Sequence, residues 1–375
     1  MLSDLKQFTH ESFWEDPGCF VAGEWEGELP DVSVPGACVL FRTSGSTGEG
    51  KWVVLRKSAL LVSARAVNEW LGVDERSVWG LALPLNHVGG FGIVARAYAA
   101  GSGLAVFPEK WDAGAFSEWI PRDGVSHTSL VPTQVHDLVK RAILAPASLK
   151  AVVVGGGRLE ESLGEAAREL GWPVLASYGM TEACSQIATQ RLSSLGKRFG
   201  EAGMELLPIW EAEVNEDGLL SISGDALFSG TITKEGFSQR QHGAFLTSDR
   251  VRLDGCILIP EGRADSLIKV MGELVDIEAV EREFLRIAGD RIDPGEFAVV
   301  ALPDERRGHV LVAVFEGGLD AAVPAYREYQ ENAGGLLRFE RWIEMEAFPK
   351  TNLGKLRRAQ LAEICSKIFQ PRGRL

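Results

Sequence analysis

The chain has 375 residues, 45% of them hydrophobic, enough to bury a substantial core and long enough for two or more domains. Its formal net charge of -13 argues against a general nucleic-acid binder, which concentrates Lys and Arg to neutralise phosphate, and turns attention to small-molecule chemistry. The five cysteines, Cys19, Cys38, Cys184, Cys256 and Cys365, are odd in number, widely spaced and without a CxxC pair, so neither a zinc site nor a disulfide framework is expected.

The N-terminus is acidic and aromatic around Phe13 to Asp16 rather than basic and then apolar, and no apolar run approaches the roughly 18 residues of a membrane span. These features predict a soluble, unexported protein of the reducing cytoplasm. The first informative segment is Phe41-Arg42-Thr43-Ser44-Gly45-Ser46-Thr47-Gly48-Glu49-Gly50-Lys51. Small residues let N–H groups and hydroxyls approach phosphate oxygens, and a lysine neutralises their charge. Gly45 to Lys51 also satisfies GxxxxGK, but Trp52 follows where a nucleotide-triphosphatase loop needs a hydroxyl for magnesium.

Apolar, β-branched runs then alternate with helical patterns across the first two thirds, which predicts an α/β domain. Leu149 to Val154 reads as a buried strand entering Gly155-Gly156-Gly157, Leu159 to Leu170 as a helix, and Val174 to Ser177 as a strand ending at Tyr178-Gly179. From about Glu211 short strands with turn signals, such as Glu216-Asp217-Gly218 and Asp254-Gly255, predict an antiparallel part. A helix from about Asp276 to Ile287, strands at Phe297 to Leu302 and Val310 to Phe315, and a helix from about Arg357 to Phe369 make a small α+β domain. The expected organisation is an N-terminal α/β domain with an antiparallel barrel-like part over 1–262 and a small C-terminal domain over 263–375.

Thr43 to Lys51 resembles the T-S-G-S-T-G-x-P-K loop of the adenylate-forming superfamily of acyl-CoA ligases, adenylation domains and luciferases, with Gly50 in place of its proline. Further segments follow in the family's order. Tyr178-Gly179-Met180-Thr181-Glu182 resembles Y-G-x-T-E, Thr247-Ser248-Asp249 resembles T-G-D, Gly262-Arg263-Ala264-Asp265 resembles G-R-x-D, and Pro349 to Lys355 resembles P-K-T-x-x-G-K. The resemblance implies that Thr43, Ser44, Gly45, Ser46, Thr47, Gly48 and Lys51 cradle the phosphates of ATP, that Gly155, Gly156, Gly157 and Tyr178 take the adenine, and that Gly179 also belongs to the nucleotide site. It also places Thr181 on the α-phosphate, Glu182 on Mg2+, and Asp249 and Arg263 on the ribose. Asp265 becomes the hinge of a mobile C-terminal domain, and Lys355 bridges acyl carboxylate and phosphates.

The residue types suit those roles: a hard carboxylate for magnesium, an acidic group for ribose hydroxyls, a flexible cation for an anionic transition state. Each also has a plainer reading: Glu182 as a solvated carboxylate at a helix start, Asp249 as a turn residue, Arg263 and Asp265 as a surface ion pair.

For the acid, Leu83 to Gly90 resembles the P-L-x-H-x-x-G stretch of acyl-CoA ligases, and Ser126 to Gln134 is similar to a run of the o-succinylbenzoate:CoA ligases of menaquinone biosynthesis. This implies CoA as co-substrate and o-succinylbenzoate as acid. His87 is either a residue that orients the acyl carboxylate or a hydrogen-bonded core histidine. Lys197 and Arg198 could meet a second carboxylate or form a solvated turn. About forty residues precede the phosphate loop, fewer than in the family, so its first subdomain is expected to be reduced; 191–208 also departs from the family's glycine-rich pattern. Loading a carrier protein and non-catalytic nucleotide binding remain alternatives.

Overall fold

The computed structural model describes residues 5–22, 34, 36–43, 50–317, 320, 322–351, 354 and 356–368. They divide into two compact units, the first taking residues through 247 together with 251–260, the second 248–250 and 261 onward.

The first unit begins with helix α1 (Glu11–Glu15), whose Phe13 and Trp14 are buried. Strands β1 (Cys19–Val21), β2 (Cys38–Thr43) and β3 (Lys51–Arg56) follow, then helix α2 (Lys57–Trp70). Next come β4 (Val78–Leu81), α3 (Val88–Ala100), β5 (Gly103–Val106), α4 (Ala113–Arg122), β6 (His127–Leu130), α5 (Pro132–Lys140), β7 (Ala151–Val154), α6 (Glu161–Glu169) and β8 (Val174–Met180). Strands β4 to β8 pair in parallel. Strand β7 shows why the sheet needs helices on both faces: Ala151 and Val153 join one core cluster, Val152 and Val154 another, and all four are buried.

The sheet then turns antiparallel. Strand β9 (Ser185–Thr189) pairs with β8 and with β10 (Met204–Leu206), and the order continues outward through β16 (Ile257–Arg263), β15 (Phe245–Asp254), β12 (Leu219–Ser223) and β11 (Glu211–Val214) at the edge, making an 11-stranded sheet in all. A second, 5-stranded sheet runs β1-β2-β3-β13-β14, where β13 is Gly230–Thr233 and β14 is Gly236–Gln239. The first unit thus has the expected α/β layers with an antiparallel part.

The N-terminal segment is a wedge of aromatic rings. Phe8 stacks edge-on against Phe13, Phe20 and Phe91, and Trp14 lies parallel to Tyr98, both Phe91 and Tyr98 being on α3. Lys57 ties it down, its Nζ donating to the carbonyls of Phe13 and Asp16 at 2.8 and 2.9 Å. The expectation of no disulfide framework is corrected at one pair. Cys19 and Cys38 are register partners in the parallel β1–β2 pair and are joined as a disulfide, a neighbourhood that their separation of 19 residues does not reveal.

The second unit holds β17 (Leu267–Val270) paired with β18 (Glu273–Asp276), helix α7 (Ile277–Ala288), β19 (Phe297–Asp304), β20 (Gly308–Glu316), α8 (Ala322–Asn332), β21 (Phe339–Met345) and α9 (Arg358–Ile368). Asp276 caps α7 by accepting from the amides of Glu278 and Ala279, and Phe284 stacks on Phe297 at 4.0 Å to join helix and sheet. Among the described residues no helix is long and apolar enough to cross a membrane.

Candidate active site

Because β4, β6, β7 and β8 run parallel, their carboxyl ends share one edge of the sheet, and the residues at or following those ends include His87, Val131 to Gln134, Gly155 to Gly157 and Tyr178 to Glu182. Open α/β sheets bind ligands at that edge.

The segment after β8 is built under constraint. Thr181–Ala183 form one turn of 3-10 helix, and Cys184 and Ser185 follow with φ of 52° and 109°, a reversal that non-glycine residues keep only where the surroundings impose it. The chain then returns as β9, with an irregularity in register at Tyr178/Gly179. A Cβ on Gly179 would lie 1.6 Å from the Ser185 carbonyl oxygen, so the position admits only glycine.

Within this turn the Glu182 side chain is 15% exposed, and Lys51 Nζ lies 2.9 Å from its Oε1. Two residues 131 positions apart thus form one charged pair, and Glu182 is not a freely solvated carboxylate. One such carboxylate suits magnesium, which takes its remaining ligands from phosphate oxygens and water. Among the described residues no group of three or more His, Cys, Asp or Glu could hold a metal alone. Gly50 precedes Lys51 where the family has proline; Arg42 lies across it, and a Cβ there would come within 2.7 Å of Arg42 Nε.

Tyr178 and Thr181 are half-buried. His87 caps α3, its Nδ1 accepting from the Gly89 amide at 3.1 Å, which gives it a structural task whatever else it does. In the second unit, Arg263 donates from Nη1 to Asp249 Oδ1 at 2.9 Å and from Nη2 to Ser248 Oγ at 2.6 Å. The two expected ribose contacts are therefore side by side, and Asp249 lies in a strand rather than a turn. Asp265 falls in a short 3-10 turn, Ala264–Ser266. Ser44, Gly45, Ser46, Thr47, Gly48 and Lys355 lie outside the described residues.

Sequence reasoning missed Arg96. Its side chain is buried on α3; Nη1 reaches Ser129 Oγ and Nη2 reaches Ser185 Oγ, both at 3.3 Å, and the guanidinium lies 5.3 Å from the Trp79 ring. Burial pulls its pKa down to about 10, so it stays charged at neutral pH. Ser129 belongs to the segment read for acid specificity, and Ser185 follows Glu182 by three residues. The available signal was a lone arginine within the apolar helix Val88–Ala100. Of the two cations singled out instead, Arg198 pairs with Glu165 at 3.4 Å and is 76% exposed.

A family model described as AMP-binding enzyme matches residues 15–231. The 2-succinylbenzoate--CoA ligase of Staphylococcus epidermidis is 28% identical over 341 residues, covering 87% of this chain and 69% of that protein. That of Staphylococcus aureus strain MSSA476 is 28% identical over 336 residues, covering 87% and 66%. Among solved structures, o-succinylbenzoate CoA synthetase from Bacillus subtilis in complex with the acyl-adenylate intermediate superposes with a TM-score of 0.74 at 26% identity, covering 90% of this chain and 70% of that one. The ATP-bound protein MatB from Rhodopseudomonas palustris shares the fold, with a TM-score of 0.74 at 21% identity, covering 88% and 69%.

Proposed function

The chain belongs to the AMP-binding enzyme family, and from that premise we propose that it is an ATP-dependent acid:CoA ligase converting o-succinylbenzoate to its CoA thioester in menaquinone biosynthesis. The observation that carries the acid's identity is Arg96, a desolvated cation held by two hydroxyls beside the Glu182 turn. A buried guanidinium favours an anionic partner, and a dicarboxylic acid has a second carboxylate to offer while its first reacts.

In the first half-reaction a carboxylate oxygen of the acid attacks the α-phosphorus of ATP, the bond to pyrophosphate breaks, and acyl-AMP forms. Lys51 and the hydroxyls of Thr43 and Thr181 balance charge on the phosphates, Tyr178 offers a face to adenine, and Asp249 accepts from ribose hydroxyls. Magnesium, when held by Glu182, neutralises phosphate charge. In the second half-reaction the CoA sulfur attacks the acyl carbonyl and AMP leaves. We assign Lys355 to the first step only and Asp265 to a rotation of the C-terminal domain between steps. A cytoplasmic setting, where ATP and CoA are supplied, belongs to the same proposal.

The test is pyrophosphate and thioester release over a panel of acids. o-Succinylbenzoate should outpace medium-chain fatty acids and benzoate; an equal rate with a fatty acid removes the substrate assignment, and nucleotide binding without acid-dependent pyrophosphate release indicates a regulator. Lys355→Ala should depress acyl-AMP formation by ~10²-fold or more yet still convert supplied acyl-AMP and CoA to thioester. Asp265→Pro should do the reverse. Equal loss of both half-reactions in both folded variants would exclude domain alternation.

A further inference from the structure

Behind the Lys51–Glu182 pair, two consecutive backbone amides hold its two sides together. The Phe228 amide donates to the Glu182 carbonyl and the Ser229 amide to the Val54 carbonyl of β3, each at 2.8 Å. Residues 228–229 lead into β13, whose Gly230, Thr231 and Ile232 pair with Val54, Val53 and Trp52, so the strand that presents Lys51 and the turn that presents Glu182 share one support. Arg240 closes that support. Its Nε donates to the Phe228 carbonyl at 2.9 Å, its own amide donates to the Ser229 carbonyl at 2.8 Å, and its Nη1 donates to the carbonyls of Gln241 and Gly243 at 2.8 Å. The planar guanidinium fork therefore joins the Phe228 peptide to the following turn in a fixed geometry that a point charge would reproduce only in part.

We propose that Arg240 is a positioning residue for adenylation: through the Phe228-Ser229 peptide it holds Glu182 and Lys51 in the geometry that binds magnesium-ATP. The proposal rests on Glu182 as the magnesium ligand, and residues that orient a metal ligand from outside its immediate coordination affect metal affinity by 10- to 100-fold when removed. An arginine of no more than structural value would instead change thermal stability and leave the metal dependence of the folded enzyme untouched.

The experiment measures acid-dependent pyrophosphate release by the full chain against magnesium concentration at saturating ATP, for the parent and for Arg240→Ala, Arg240→Lys, Glu182→Gln and Arg168→Ala, with circular dichroism to confirm folding. Arg240→Ala should raise the half-saturating magnesium concentration about tenfold. Arg240→Lys should recover part of that shift. Arg168→Ala, which removes a different carbonyl-bound arginine, should lower the melting temperature without moving the magnesium curve. If Glu182→Gln moves the curve and folded Arg240→Ala does not, the positioning role is overturned and the magnesium assignment stands. If Arg168→Ala moves the curve as far as Arg240→Ala, the effect is general loosening and the proposal is likewise overturned. An unmoved curve in Glu182→Gln overturns the magnesium assignment, and the proposal with it.

Discussion

Arg168 on α6 is half-buried and Arg96 on α3 is buried, and their surroundings differ in kind. Arg168 reaches the carbonyls of Val174, Ser194 and Lys197, the side chain of Gln190 and the face of Phe199, pinning 191–201 against the sheet. Gln190 completes that network by donating to the carbonyls of Phe199 and Ala202 while accepting from the Ala176 amide. Arg96 is more deeply buried and has hydroxyls for its guanidinium at 3.3 Å, at the long end of hydrogen-bonding range. A network saturated with carbonyls fixes a fold. A desolvated cation held by long hydroxyl contacts keeps capacity for an anion, and that contrast separates a structural arginine from one suited to substrate.

The largest effect should come from Arg96→Met. Loss of a buried charge partner costs on the order of 2–5 kcal/mol in binding, so kcat/KM for o-succinylbenzoate should fall about 30-fold or more, with little change for benzoate. Stability should hold or rise, since an apolar side chain of similar length replaces a desolvated charge. Equal losses for the two acids would make Arg96 structural, like Arg168.

His127 tests the same neighbourhood by pH, its ring lying 5.5 Å from Trp79, the residue that also faces Arg96. Burial lowers its pKa to about 4. The unfolded chain takes up this proton near pH 6.5 while the folded chain resists it, so stability is full above about 6.5 and declines as pH falls towards 4. The loss should total roughly 3 kcal/mol, and His127→Gln should remove that part of the slope in urea unfolding at pH 7 and pH 5. Parallel slopes for parent and variant would contradict it.

Arg168→Ala should cost about 2 kcal/mol through carbonyls left without donors, read as a lower melting temperature, with KM for the acid changed less than by Arg96→Met. The smallest effect belongs to Arg198→Ala: its pair with Glu165 is exposed and contributes ~0–1 kcal/mol, and neither melting temperature nor acid KM should move appreciably. A large rise in KM there would return the second carboxylate to the 197–198 turn.

Much of this architecture was legible in the residues alone. The helix expected from about Asp276 to Ile287 is Ile277–Ala288, the strands at Phe297 and Val310 are present and slightly longer, and the last helix is Arg358–Ile368. These elements follow from local periodicity and capping, which act over a few residues. The strand read as Val174 to Ser177 runs on to Met180 because β9 pairs with its continuation, a partner absent from any local window. The ordered motifs likewise named Lys51, Glu182, Asp249 and Arg263 one by one.

Only the tertiary structure decided which of them meet and what stands behind them. Lys51 finds Glu182 across the chain, Arg263 finds Asp249 through neighbouring strands, and Cys19 finds Cys38 through parallel register. Arg96 shows the limit most plainly. In sequence it is one cation in an apolar helix; its desolvation and its hydroxyl neighbours from β6 and β9 come from packing. Residue type and spacing determine the chemistry a side chain has to offer, while burial and the partners assembled around it decide whether that chemistry is used up in the fold or left for a ligand.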